Sequence, residues 1–304
     1  MEEMLCLGLI RLNRNKIPKE SVKMSFHSEK LIAELTEMAR NLRIQVVKMI
    51  YKAKSGHPGG SLSAADIVTA LYFHHLNVDP AHPHWSERDR FILSKGHAAP
   101  LLYAALAERG FFPKEELNTL RSLGSILQGH PDMLKTPGVE MSTGILGHGL
   151  SVGVGMALGA KLDGKNYRIY VLLGDGEMDT GFNWEAAMAA NKYHLDNLTA
   201  IVDLNGVQLD GPTSEIMPLE PVVDKWRSFN WHTIEIDGHN IKQVLEALDE
   251  TKHIHGKPSI IIAHTIKGKG VSFMENKSIW HGQVPNQEEF VAALQELGKE
   301  NNRE

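Results

Sequence analysis

Apolar residues recur three and four apart through the first part of the chain, then gather into short runs separated by helical stretches. From Ser28 onward, Leu31, Leu35, Met38, Leu42, Val46, Met49 and Ile50 keep the helical spacing, and Ser28 is placed as the N-cap. Ser55-Gly56-His57-Pro58-Gly59-Gly60 should stop that helix, because glycine and proline disfavour its continuation. A second helix is expected over 63–76, a loop over 79–83, a short apolar run over 90–93, a helix over 100–109 and a helical stretch over 114–123. A glycine-rich segment at 142–150 opens a helix that runs to about residue 162. Beyond it, strands predicted at 167–173, 198–204, 233–236 and 259–264 alternate with helices at 184–193, 222–229, 241–253 and 288–297. Strand–helix alternation with short connections predicts an α/β fold, a doubly wound parallel sheet flanked by helices. Ligands of such sheets bind at the carboxyl ends of the strands, so the residues that follow each strand carry the chemistry.

Composition narrows the classes. With 304 residues, 42% of them hydrophobic, the chain can bury a sizeable core as one large domain or two small ones. A formal net charge of −5 argues against a nucleic-acid partner. No run of about 18 apolar residues exists to span a membrane. The one cysteine, Cys6, excludes a disulfide framework and a cysteine-based zinc site, and the expected location is the cytoplasm. Residues 1–25 lack the pattern of a fold and the signals of a secretory peptide, and read as an N-terminal extension. Met24, just before the first strong helix, is the expected natural start; native protein whose N-terminal mass includes residues 1–23 would sink that expectation.

The strand at 167–173 runs into Gly174-Asp175-Gly176. Glycines there let backbone approach a phosphate and leave the Asp175 carboxylate free, although G-D-G alone is also a common turn sequence. The next strand ends in Asn205-Gly206-Val207, and Asn205 lies 30 residues after Asp175. One β-α-β crossover separates the two, so adjacent strands would set both loops side by side. A carboxylate, an amide oxygen and a backbone carbonyl are the hard oxygen ligands that Mg²⁺ takes together with phosphate oxygens and water.

G-D-G followed about thirty residues later by Asn resembles the diphosphate-binding motif of thiamine diphosphate (ThDP) enzymes. Lys54-Ser55-Gly56-His57-Pro58-Gly59, Leu93-Ser94-Lys95-Gly96-His97-Ala98-Ala99-Pro100, Gly129-His130-Pro131, the run STGILGHG at 142–149 and Trp280-His281-Gly282 stand in the order seen in transketolases. The resemblance covers nearly the whole chain from about Ser28, and is best to the N-terminal subunit of a split, two-polypeptide transketolase. It implies that 26–304 is a single ThDP diphosphate-binding domain. It implies Mg²⁺ ligation by the side chains of Asp175 and Asn205 and the carbonyl of Val207, a diphosphate loop shaped by Gly174 and Gly176, and contacts of Gly144 and Leu146 with the aminopyrimidine ring. His57, His97, His130 and His281 match the family's active-site histidines, with His97 and His281 also touching the cofactor, and Glu185 matches a glutamate in a carboxylate network near a dimer interface. Each of the four histidines adjoins a glycine-containing turn, whereas His74 and His75 lie within a predicted helix and read as packing or surface residues.

One position departs from the family pattern. Thr180 stands where the family has a glutamate of a proton-relay network, and Asp179 is the adjacent carboxylate. The implied reaction moves a two-carbon ketol unit between sugar phosphates, as in the pentose phosphate pathway. The glutamate that activates the aminopyrimidine and the arginines that read the sugar phosphate are expected on a separate C-terminal, pyrimidine-binding subunit in an α₂β₂ assembly. The α subunits of 2-oxo acid dehydrogenases share G-D-G and Asn but lack the Ser-Gly-His-Pro-Gly, Gly-His-Ala and Trp-His-Gly segments, and a deoxyxylulose phosphate synthase fragment lacks the histidine pattern. A non-catalytic ThDP-binding scaffold would have lost Mg²⁺ ligands or histidines, and all are present.

Overall fold

The computed structural model describes residues 27–299; the extension expected over 1–25 and the Met24 start lie outside the described residues. Five parallel strands form one sheet in the order β1-β2-β3-β5-β4: β1 Arg90–Leu93, β2 Ile169–Gly174, β3 Leu198–Leu204, β4 His232–Asp237 and β5 Ser259–His264. The central strands are mostly apolar because both faces are covered. Successive side chains go to opposite faces. Phe91, Tyr170, Leu172, Ile201 and Ile261 enter one core, and Ile92, Val171, Leu173, Val202 and Ile262 enter the other. Helices α1 (Glu29–Ala53), α3 (Ala65–Ala70), α4 (Ala99–Arg109), α9 (Ile241–Lys252) and α10 (Gln287–Lys299) supply the first core; α5 (His148–Leu162), α6 (Gly181–Lys192) and α8 (Val222–Ser228) supply the second. Two further short helices, α2 (Pro58–Ser63) and α7 (Thr213–Ile216), lie at the carboxyl side of the strands and in the loop after β3. The doubly wound expectation therefore holds.

Most predicted elements are present with shifted ends. Ser28 caps α1, its Oγ accepting from Leu31 N at 3.2 Å. α6 begins three residues before its predicted start, and β4 is one residue longer at each end. Two expectations need correction. The helix predicted over 63–76 is α2, α3 and a π-helical turn, Leu71–His75, in succession. The first helix does stop ahead of this segment, at Ala53, and Gly59 and Gly60 lie inside α2, which starts on Pro58, a residue suited to a first helical position. They are glycine for close packing: a Cβ would lie 2.8 Å from the Trp280 carbonyl oxygen at Gly59 and 3.1 Å from His97 Nε2 at Gly60. The helical stretch predicted over 114–123 is a 3₁₀ turn, Lys114–Thr119, after which Arg121 takes a left-handed backbone (φ 59°).

Candidate active site

The parallel register sets Gly174 beside Asp203 and Asp203 beside Ala263, so the loops after β2, β3 and β5 emerge together. Asp175 Oδ1 accepts from Gly176 N at 2.7 Å, and its Oδ2 reaches across to Gly206 N at 2.6 Å. The two loops are thus joined through the carboxylate that the sequence singled out. Burial, and then the charge of Asp203, push the Asp175 carboxyl up to about 6; a cation placed here would relieve both effects. Beneath it Asp203 is fully buried. Burial alone would raise its carboxyl, but Lys95 beside it, with Ser63 and Thr265 donating, holds it below the usual range. Asn205 Nδ2 donates to Asp203 at 3.2 Å, and this contact orients the amide so that Oδ1 faces the Val207 backbone N–H, also at 3.2 Å.

Lys267, in the loop after β5, is buried, and its Nζ donates to the Val207 carbonyl at 2.8 Å, to the Gln208 carbonyl at 3.2 Å and to His281 Nδ1 at 3.1 Å. Burial lowers this ammonium to about 8, with Asp175 acting against that shift. A cavity of about 200 Å³ opens between these groups, lined by Asp175, Asn205, Val207, Lys267, His97, His281 and Leu146, and by Gly174 and Gly176. A carboxylate, an amide oxygen and a carbonyl that already attracts an ammonium form a donor set that fits a hard cation sharing phosphate oxygens. Among the described residues no three His, Cys, Asp or Glu side chains gather as they would for zinc.

The four predicted histidines meet at this place. His57 precedes α2, His97 sits on a 3₁₀ turn after β1, His130 on the loop before Pro131, and His281 on a 3₁₀ turn near the end of the described chain. Ring centroids are 5.5 Å apart for His57–His97, 5.4 Å for His57–His281, 4.9 Å for His97–His281 and 6.3 Å for His57–His130. His97 and His281 line the cavity, while His57 and His130 stand next to it through these ring contacts. Burial first, then neighbouring cations, lower His57 and His281 to about 4, and burial also lowers His97 and His130. All four are neutral near pH 7, and His57 Nδ1 is buried without a hydrogen-bond partner.

The other expected residues divide. Gly144 (φ 156°) packs on His130, where a Cβ would lie 3.4 Å from the ring. The structure does not bring Glu185 to the histidines: it is exposed on α6, near the exposed Phe182 and Met188, because its helical position points away from the sheet. Asp179 is exposed and accepts from Gln208 Nε2 at 2.8 Å, while Thr180 Oγ1 donates to the Glu177 carbonyl at 3.0 Å. Glu177, Lys95, Lys267, Gln208 and Arg121 are site residues that sequence reasoning passes over. Glu177 is buried with Ser94 Oγ, Gly147 N and Gly174 N donating to it. A signal for the two lysines exists: each lies just after a strand, β1 or β5, where ligands of such sheets bind.

A family model described as the thiamine diphosphate-binding domain of transketolase matches residues 35–304. The chain belongs to the transketolase family. It is 49% identical over 267 residues to a 6-deoxy-6-sulfo-D-fructose transketolase subunit of Clostridium sp. (strain MSTE9), over 88% of this chain and 97% of that subunit. It is 47% identical over 267 residues to an apulose-4-phosphate transketolase subunit from Phocaeicola vulgatus, over 86% and 95% of the two chains. The crystal structure of transketolase from Campylobacter jejuni superposes with a TM-score of 0.83 at 34% identity, over 89% of this chain and 44% of that one. This transketolase chain therefore spans nearly all of its subunit relatives and less than half of the solved transketolase. The cavity between β2 and β3 lies in its thiamine diphosphate-binding domain.

Proposed function

We propose that this chain transfers a two-carbon ketol unit from a ketose phosphate to an aldose phosphate with ThDP and Mg²⁺, as one subunit of an α₂β₂-type assembly in the cytoplasm. The observation that carries the reading is the meeting of His57, His97, His130 and His281 with the Asp175–Asn205–Val207 loops around one cleft. Asp175 and Asn205 side chains and the Val207 carbonyl would hold Mg²⁺, and Lys267 would offset diphosphate charge. Bound ThDP supplies the carbon nucleophile that no side chain here provides.

The side chains supply orientation and proton movement. A neutral imidazole has one donor and one acceptor nitrogen, so His57 and His130 can hold the hydroxyls and the developing oxyanion of the transferred fragment. Lys267 donates to His281 Nδ1, which leaves the His281 proton on Nε2, available for donation. His97 and His281 face the diphosphate side of the cleft. Residues 26–304 act as a single domain in this reading. The partner subunit brings the glutamate for the aminopyrimidine and the arginines for the sugar phosphate, and Glu185 with the exposed face of α6 belongs to an interface. No helix among the described residues is long and apolar enough to cross a membrane.

Co-purification with the pyrimidine-binding partner, followed by a ketose-to-aldose transfer assay with and without ThDP and Mg²⁺, tests the reading. Donors to assay include 6-deoxy-6-sulfo-D-fructose and apulose 4-phosphate, for which similar subunits are named. Turnover is expected only with partner, ThDP and Mg²⁺ together. Full turnover by this chain alone, or none from the loaded assembly with any ketose, overturns it.

A further inference from the structure

Beside the cleft lies a cation that none of the sequence motifs includes. Arg121 comes from the turn after the 3₁₀ segment 114–119, and its left-handed backbone lets its N–H bond to the Leu127 carbonyl at 2.9 Å. From that turn its guanidinium reaches two loops. Nη1 donates to Ser55 Oγ at 2.7 Å, two residues before His57. Nη2 donates to the Gly129 carbonyl at 3.2 Å, the residue before His130. Gly129 suits this approach, since a Cβ there would lie 3.2 Å from Arg121 Nε. The planar fork of arginine spans both contacts at once, which a lysine could not do.

We infer that Arg121 is a positioning residue that ties together the loops carrying His57 and His130 and fixes a positive charge beside both rings. The charges around the rings agree with this role. His57 is faced by Arg121, His130 and Lys267, with the His97 and His281 rings against it. His130 is faced by Arg121 and His57. No carboxylate among the described residues makes an ion pair with either ring. After burial, Arg121 is the largest charge acting on each. A neutral ring at this place can both give and take a hydrogen bond, which the proposed handling of the sugar requires of His57 and His130. The inference rests on that reading for its purpose, but its test does not.

The test is an NMR titration of the histidine rings in the full chain, with His57 and His130 assigned from His57→Gln and His130→Gln variants. Arg121→Gln removes the charge and keeps donors; Arg121→Lys keeps the charge and loses the fork. Arg121→Gln is expected to raise the His57 midpoint by about half a pH unit or more, with His130 moving the same way, and Arg121→Lys to leave both in place. In the assembled enzyme the acid limb of kcat/KM should move to higher pH in Arg121→Gln alone. Unchanged midpoints in Arg121→Gln, or equal rises in both variants, overturn the role of charge. Should Arg121→Gln fail to fold, Arg121→Met repeats the measurement. A raised midpoint in a chain that shows no transketolase turnover would leave this inference standing and remove the functional reading instead.

Discussion

Around the carboxyl ends of the strands, four imidazoles lie against one another with no carboxylate in ion-pair reach; elsewhere in the same chain three histidines are paired with carboxylates across separate segments. His232 Nε2 meets Glu250 at 2.6 Å, His264 Nε2 meets Glu235 at 2.7 Å, and His239 Nδ1 meets Asp66 at 2.8 Å. The second group links elements. His239, for example, also accepts from Ile266 N at 2.8 Å and so holds the loop that presents Lys267. The first group is surrounded by cations and buried enough to stay neutral, and His57 keeps an uncommitted nitrogen. A satisfied histidine supports the fold, whereas an unsatisfied one among cations has capacity left for a ligand.

Substitution separates the two groups most sharply. In the assembled enzyme, His57→Ala and His281→Ala should each lower kcat/KM by about 10²- to 10⁴-fold with unchanged circular dichroism. His264→Ala and His232→Ala should leave it within about twofold, being exposed or partly exposed pairs that do not line the cleft. Similar losses in both sets would erase the distinction.

A comparable effect, read as stability and not as rate, tests the buried layer beneath the cleft. Asp203→Asn leaves the Lys95 ammonium, 1% exposed, without its counter-charge. Breaking such a pair costs on the order of 3–5 kcal/mol, read from urea unfolding of the chain without ligand. A loss below about 1 kcal/mol would mean that Asp203 is not the anchor described here.

The smallest expected effect is the slope of stability with pH. His57 and His281 ionise near 4 when folded and at the ordinary histidine value of 6.5 when unfolded. Between those values the unfolded chain binds more protons, so their contribution to stability falls as pH drops from 6.5 to 4. Asp175, raised to about 6, works in the opposite direction. Replacing His57 and His281 together by Gln should therefore flatten the fall of the urea midpoint across this window. An unaltered slope would show that the two rings are not held neutral by the fold.

Much of this is legible in the linear chain. The apolar runs at 169–173 and 200–202 imply strands covered on both faces, and both are. Asp175 and Asn205, separated by one crossover, imply adjacent loops, and the bond from Gly206 N to Asp175 confirms it. Lys95 and Lys267 carry in sequence only the signal of their place after a strand; their burial is not legible, because a lysine looks like any surface lysine until surrounding elements bury it. Arg121 is hidden within a stretch that reads as helix. The segment 55–60 ends the first helix as its composition implies, but the start of a new helix at Pro58 is not legible, because what calls for Gly59 and Gly60 there, the approach of Trp280 and His97, comes from distant parts of the chain.

Local periodicity and turn chemistry determined the element types, the order of the strands' loops in the chain, and which histidines adjoin glycine. Those are properties of near neighbours, which a linear pattern records. Tertiary structure alone decided that four histidines share one cleft, that their rings are neutral, that Asp203 sits under Asn205, and that Glu185 stands outside. These depend on sheet register, burial and charges brought together from separate segments, and a protonation state is set by that surrounding field, not by the identity of the residue.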